Sequence, residues 1–330
     1  EYNGFYSRIV VDKFITYANK MIERYGDRVK KWISFNEQNG IALEGHKIAY
    51  GAICPEGVNE ESFINQLIHN SLYAHAKVVE KVHTIKDAIV LGMVIYIPHY
   101  AATCHPLDEL AARKQMSKTN VFLDMFVYGE YSSYYWSQMV KNNTLPDIQE
   151  GDLEVMRKNT VDWLSFSYYM SATAKDGSSG VKAGGNLQVE LNPYLKASEW
   201  GWTIDPIGIR IALRDLYEKY RMPIMVVENG FGMRDIFENG TVIDDERIYY
   251  MKDHIEQIGI AIEEGVDCRG YLMWGPIDIL SSQGEMGKRY GMIYVNRDDK
   301  DLKDMKRYKK KSFNWYQKVI HTNAKDIEID

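Results

Sequence analysis

Cysteine is scarce in this 330-residue sequence: Cys54, Cys104 and Cys268 are widely spaced and form no CxxC pair. An odd, scattered set of this kind supplies neither a disulfide framework nor a metal-ligand pattern, so a reducing cytoplasm is the expected setting. Long apolar runs are also missing. Nothing approaches the roughly 18 residues that span a bilayer, and no signal-peptide pattern opens the sequence, so no membrane partner is expected. Basic charge is in short supply too, since 40 Lys+Arg against 46 Asp+Glu leave a formal net charge of −6. The one dense basic block, Lys306 to Lys311, precedes an amphipathic segment and reads as a solvated helix start. Nucleic acid is therefore not an expected partner.

What is present is enough apolar material for a large core, 45% of the residues, and no internal repeat or low-complexity linker divides it. The expectation is a single domain over residues 1–330. Strand-like runs at Lys31 to Phe35, Ala88 to Ile97, Val161 to Ser167, Pro223 to Val227 and Arg269 to Trp274 alternate with segments of helical apolar spacing. Those segments are Ile9 to Arg28, Glu61 to Val82, Leu107 to Lys118, a stretch opened by Pro206, Asp244 to Glu264, and Lys310 to His321. The Gly/Ser-rich stretch Asp176 to Gly185 reads as an exposed loop. Strands alternating with helices at this spacing predict an α/β protein with a parallel sheet, in five strand–helix units.

Two of the strand-like runs lead into glutamates, Glu37 after Ser34-Phe35-Asn36 and Glu228 after Val226-Val227. The carboxyl end of a core strand is where α/β barrels place catalytic groups. A carboxylate there is costly to bury unless it is paired or working. One such glutamate alone reads as a salt-bridged strand end. Two of them, far apart in sequence, suggest the acid/base and nucleophile of a glycoside hydrolase.

The strings Tyr25-Gly26-Asp27-Arg28-Val29, Phe35-Asn36-Glu37, Val227-Glu228-Asn229-Gly230 and Trp274-Gly275-Pro276-Ile277-Asp278 carry a resemblance to family 1 glycoside hydrolases. So do Phe166-Ser167-Tyr168-Tyr169-Met170-Ser171, Glu199-Trp200-Gly201-Trp202 and Lys288-Arg289-Tyr290-Gly291. Within that family the chain looks most like the bacterial 6-phospho-β-glucosidases. The resemblance implies Glu37 as general acid/base and Glu228 as nucleophile of a retaining mechanism, with the carboxyls about 5–5.5 Å apart and their pKa values split. It implies Asn36 on the sugar 2-hydroxyl, Tyr169 on the nucleophile, and Trp274 beneath the −1 sugar. No cofactor or metal is implied.

The loop after Trp274 decides the subfamily. Ordinary β-glucosidases carry Glu-Trp at the seventh and eighth positions beyond this tryptophan, where Ser281 and Ser282 stand here. A carboxylate there would repel a 6-phosphate, whereas a serine offers a donor. By resemblance Ser281, Lys288 and Tyr290 bind the phosphate, and Ser282 is an additional donor. Relatives preferring 6-phosphogalactosides keep a tryptophan at the Ser282 position, which favours the gluco reading. Arg289 is expected to face away into a structural ion pair.

Family members are longer at the N-terminus. The resemblance thus implies a TIM (β/α)8 barrel that is incomplete here, with about five of eight strand–helix units, the fourth to the eighth. The implied activity is hydrolysis of 6-phospho-β-D-glucosides to glucose 6-phosphate and an aglycone. Two alternatives stay open, a non-catalytic remnant that binds sugar phosphate weakly and a β-glucosidase for unphosphorylated glucosides. Aglycone preference and oligomeric state, a homo-oligomer included, are not legible.

Overall fold

A computed structural model of the protein describes residues 2–43, 50–178, 180–183, 187–282 and 284–329. Its centre is one five-stranded sheet: β1 (Lys31–Trp32), β2 (Ile89–Ile95), β3 (Trp163–Ser167), β4 (Ile224–Glu228) and β5 (Cys268–Tyr271), hydrogen-bonded in that order. Every pairing is parallel. Parallel neighbours require crossovers, and helices supply them: α1 (Arg8–Tyr25) precedes β1, and α2 (Glu60–Val82), α3 (Pro106–Tyr128), α4 (Pro206–Tyr220), α5 (Asp245–Glu263) and α6 (Lys311–His321) follow in turn.

Side chains alternate across the sheet as the two-residue period of a strand demands. Val90, Val94, Leu164, Phe166, Ile224 and Val226 join the main core with Phe63, Leu67 and Val79 of α2, Phe122 and Phe126 of α3, and Leu213 of α4. Leu91, Met93 and Val227 form a separate cluster with Ile89, Trp163 and Met225. Gly92 lets α3 approach the sheet, because a Cβ there would lie 2.4 Å from the Phe126 ring. Helix starts follow local chemistry: the Asn59 side chain accepts the Ser62 N–H (3.0 Å) below α2, and Asp205 accepts the Gly208 N–H (2.9 Å) where Pro206 opens α4.

Among the described residues five strand–helix units are present, as the sequence predicts, and several boundaries differ. α3 continues past Lys118 to Tyr128, because Val121, Phe122, Met125 and Phe126 keep the apolar stripe going into the core. Part of the expected loop after Asp176 is a strand, Val181–Ala183, paired antiparallel with Leu187–Val189; positions 179, 184 and 185 of the expected loop lie outside the described residues. The basic block is not a solvated helix start. Arg307–Lys309 is a strand paired with Ile293–Val295, and Lys310 is 1% exposed, ion-paired to Asp235 and Asp278. β1 stops at Trp32 and β5 at Tyr271, short of the expected Phe35 and Trp274. These two strands are the open edges of the sheet, and beside them Ile33, Leu272 and Trp274 are exposed.

Candidate active site

Beyond β1 the chain turns, and Glu37 takes a left-handed backbone (φ 43°). Few non-glycine residues adopt that conformation, at a cost of about 1 kcal/mol or more. The neighbouring residues hold it there. The Gln38 N–H donates to Met93 O (3.1 Å), and the Asn39 amide both donates to Ile95 O (2.8 Å) and accepts its N–H (2.7 Å). A side-chain amide thus takes over the edge of β2 that β1 would otherwise pair, which is why the strand ends early. The same turn aims Glu37 at β3, where the Ser167 hydroxyl donates to its Oε1.

Ser167 pairs with Glu228 across the β3–β4 register, at an irregularity between Phe166 and Ser167. Two residues beyond Ser167, the Tyr169 hydroxyl donates to Glu228 Oε2 (3.0 Å). The strand ends are latched below by Asn229, whose amide donates to Tyr168 O (2.7 Å) and the Tyr250 hydroxyl (3.2 Å) and accepts the Tyr271 O–H (2.8 Å). Burial raises the Glu228 pKa, and the Tyr169 hydrogen bond works against that rise. The Tyr169 phenol is pushed well up by burial first, then by the negative charges of Glu228 and Glu37; the Tyr290 phenol is raised by burial and by Glu37. One group of side chains therefore contains both carboxylates, Ser167, Tyr169 and Tyr290.

Tyr169 leads into a second group, with ring centroids 6.2 Å from Tyr290 and 5.5 Å from Trp202. The Lys288 ammonium lies 3.7 Å from the Trp202 ring centroid, 5.3 Å from that of Trp200 and 5.6 Å from that of Tyr290. Lys288 is 3% exposed, yet among the described residues no carboxylate forms an ion pair with it. Burial pushes its pKa down to about 8, and Glu285 only partly offsets this. Glu285 accepts the Trp200 indole N–H (2.9 Å), and its own backbone N–H donates to Ser281 Oγ (3.2 Å). Tyr169, Trp202, Gly230, Gly232 and Lys288 share the wall of one small cavity. Two glutamates that accept hydroxyl donors, near a buried cation in an aromatic surround with no ion-paired carboxylate among the described residues, suit glycosyl transfer from an anionic sugar.

The model of glycosyl hydrolase family 1 matches residues 1–325. The chain belongs to glycosyl hydrolase family 1. An aryl-phospho-β-D-glucosidase of Bacillus subtilis is 42% identical over 331 residues, covering 99% of this chain and 70% of the relative. A 6-phospho-β-glucosidase of Clostridium longisporum is 42% identical over 338 residues, covering 99% and 71%. Among solved structures, the family 1 β-glucosidase of Thermotoga maritima in complex with isofagomine lactam superposes with a TM-score of 0.83 at 28% identity, covering 98% of this chain and 70% of that one. Those neighbours carry the TIM-barrel fold.

Within this family 1 chain the sequence-predicted residues fall into two sets. Glu37, Glu228, Tyr169, Lys288 and Tyr290 converge as described. Trp274 joins them through its backbone: its N–H donates to Asn229 O (2.8 Å), and a Cβ at Gly230 would meet Trp274 O (3.5 Å) and the Tyr290 ring (3.6 Å). Its side chain is 37% exposed. Asn36 is exposed in the Glu37 turn, Ser281 closes the turn to Glu285, and Ser282 is exposed on that turn. Arg289 faces away into an ion pair with Asp278 (2.8 Å), as expected. Sequence reasoning missed Ser167, Trp200, Trp202 and Glu285 as participants. A serine closing the apolar run Phe166-Ser167 and two tryptophans around one glycine were the available signals.

Proposed function

We propose that this family 1 enzyme hydrolyses 6-phospho-β-D-glucosides with retention of configuration at the anomeric carbon. The observation that carries the phospho-specific reading is Lys288, a buried ammonium with aromatic neighbours and no ion-paired carboxylate among the described residues. Such a charge is expensive unless an anion arrives to meet it. The names of the relatives in Bacillus subtilis and Clostridium longisporum support the same reading.

In the first step the Glu228 carboxylate forms a bond to the anomeric carbon. The bond to the leaving oxygen breaks, and Glu37 gives that oxygen its proton. In the second step Glu37 takes a proton from water, the water oxygen bonds to the anomeric carbon, and the ester to Glu228 breaks. Tyr169 steadies Glu228 through its 3.0 Å hydrogen bond, and Ser167 orients Glu37. Asn36 holds the 2-hydroxyl and Trp274 offers a ring face to the sugar. Lys288, Tyr290, Ser281 and Ser282 receive the phosphate. The products are glucose 6-phosphate and the free aglycone, formed in the cytoplasm.

The five strands are assigned as the fourth to eighth of an eight-stranded barrel. The open edges at β1 and β5, with Ile33, Leu272 and Trp274 exposed beside them, support this.

The test compares p-nitrophenyl β-D-glucoside with its 6-phosphate, and follows the first-formed anomer by NMR. Turnover of the phosphorylated substrate alone, releasing the β-anomer first, is expected. Preference for the plain glucoside overturns the phosphate assignment, an α-anomer overturns retention, and turnover of neither overturns catalysis by this chain.

A further inference from the structure

Arg289 forms an antiparallel bridge with Met233, N–H to O at 3.1 and 3.0 Å. Chain in that extended form throws successive side chains to opposite sides. Lys288 and Tyr290 therefore share the side facing Trp202 and Tyr169, and Arg289 goes behind. There its guanidinium donates to Asp278 Oδ2 (2.8 Å), Val295 O (3.0 Å) and Arg297 O (2.6 Å). Asp278 also pairs with Lys310 (2.7 Å) and accepts the Gly291 N–H (3.0 Å). Lys310 pairs with Asp235, and Arg247 pairs with Asp235 (2.9 Å) and Asp244 while donating to Arg289 O (2.9 Å). Three cations and three carboxylates, their side chains 0–6% exposed, thus close into one neutral cluster.

A buried cluster of this kind contributes little net stability, because desolvation offsets attraction, but removing one partner leaves a buried charge uncompensated, so each member holds the others in place. That geometry is transmitted forward. A Cβ at Gly291 would sit 2.4 Å from Asp278 N, so the backbones touch there. In front, a Cβ at Gly232 would lie 2.9 Å from Lys288 Cγ and 3.0 Å from both Lys288 Cε and Tyr290 Cζ. The lysine's carbon stem and the phenol ring rest on bare backbone, backed by the cluster.

We infer that Asp278 and Arg289 are positioning residues for phosphate selectivity: the buried charge cluster fixes Lys288 and Tyr290 against Gly232 in the geometry that accepts a sugar 6-phosphate. This rests on Lys288 being the phosphate-binding cation. The experiment measures the affinities of the 330-residue chain for glucose 6-phosphate and for glucose by tryptophan fluorescence, in the unsubstituted protein and in Lys288→Ala, Arg289→Lys, Asp278→Asn and Gly232→Ala. The preference for the phosphorylated sugar is expected to fall about 10-fold to 100-fold in Arg289→Lys and Asp278→Asn, by analogy with the loss when the partners that orient a metal's ligands are removed. A similar loss is expected in Gly232→Ala. Arg289→Lys keeps the cluster neutral while losing carbonyl contacts, so it decides the matter if Asp278→Asn does not fold. A lower melting temperature with the preference intact would make the cluster purely structural and overturn the inference. If Lys288→Ala itself leaves the preference intact, the phosphate reading fails instead.

Discussion

Lys288→Met puts the central electrostatic claim at risk. The side chain is 3% exposed, and its pKa drops from 10.5 to about 8. At neutral pH an ammonium so displaced is held about 3 kcal/mol less favourably charged than in water. The Trp202 face, 3.7 Å away, returns about 0.5–2 kcal/mol. Methionine keeps most of the chain's length and removes the charge, so the net gain in stability is about 1–2.5 kcal/mol, or about 1.5–3.5 °C in melting temperature for a chain of this size. The pH dependence has a definite sign. With the folded-state pKa depressed, the unfolded chain binds more protons between pH 8 and 10.5, so the lysine's cost is full below about 8 and disappears as pH rises to 10.5. The methionine advantage should shrink over that window. Saturating glucose 6-phosphate, at 100 times its Kd, should stabilise the unsubstituted protein by about 2.7 kcal/mol and the variant much less. Calorimetric scans with and without the ligand supply both comparisons. A lower melting temperature for Lys288→Met at neutral pH, or an advantage that grows with pH, refutes the reasoning.

Glu228→Gln should abolish turnover on every substrate, whereas Glu37→Gln should keep part of it on p-nitrophenyl 6-phosphoglucoside, whose leaving group needs no proton; equal losses would overturn the assignment. Tyr169→Phe removes the bond that opposes the burial-driven rise of the Glu228 pKa. The acid limb of kcat/KM should move to higher pH, with a loss on its acid side of about 1.5–3 kcal/mol, and an unmoved limb would separate Tyr169 from the nucleophile's ionisation. Gly129→Ala ends α3 badly, since φ is 65° and the new Cβ would lie 2.4 Å from Arg157 Cα. It should cost about 1–3 kcal/mol in stability and leave the phosphorylated-to-plain preference unchanged.

The sequence showed most clearly what local chemistry decides. β4 reads as a strand because Ile224, Val226 and Val227 form an apolar run that ends at Glu228. α4 is announced by Asp205 and Pro206, which supply the cap and the first-turn residue. What stayed hidden depends on partners distant in sequence. Ile33 and Phe35 suggest a longer β1, but Asn39 occupies the hydrogen-bonding edge of Ile95, and no pattern around residue 39 foretells that. Lys310 sits in a run of like charges that looks solvated, and its partners Asp235 and Asp278 come from other loops. Ser167 looks like the polar end of a strand until the turn at Glu37 brings a carboxylate to it.

Lys310 and Lys288 show how the same physics leads to opposite roles. Both are nearly inaccessible, 1% and 3% exposed. Lys310 meets two carboxylates, and with Arg247, Arg289 and Asp244 its charge closes into a neutral cluster. Lys288, two segments away and directly adjacent in sequence to a member of that cluster, faces indoles instead. A protein that compensates three buried cations so completely has the means to compensate a fourth. Among the described residues this one has no ion-paired carboxylate, which lowers stability; on the proposed function it is completed by an anion from outside, and the stability lost is turned to selectivity. On the proposed function, the rest of that molecule runs from Lys288 past Tyr290 and Tyr169 towards Glu37 and Glu228, with its scissile bond at the carboxylates.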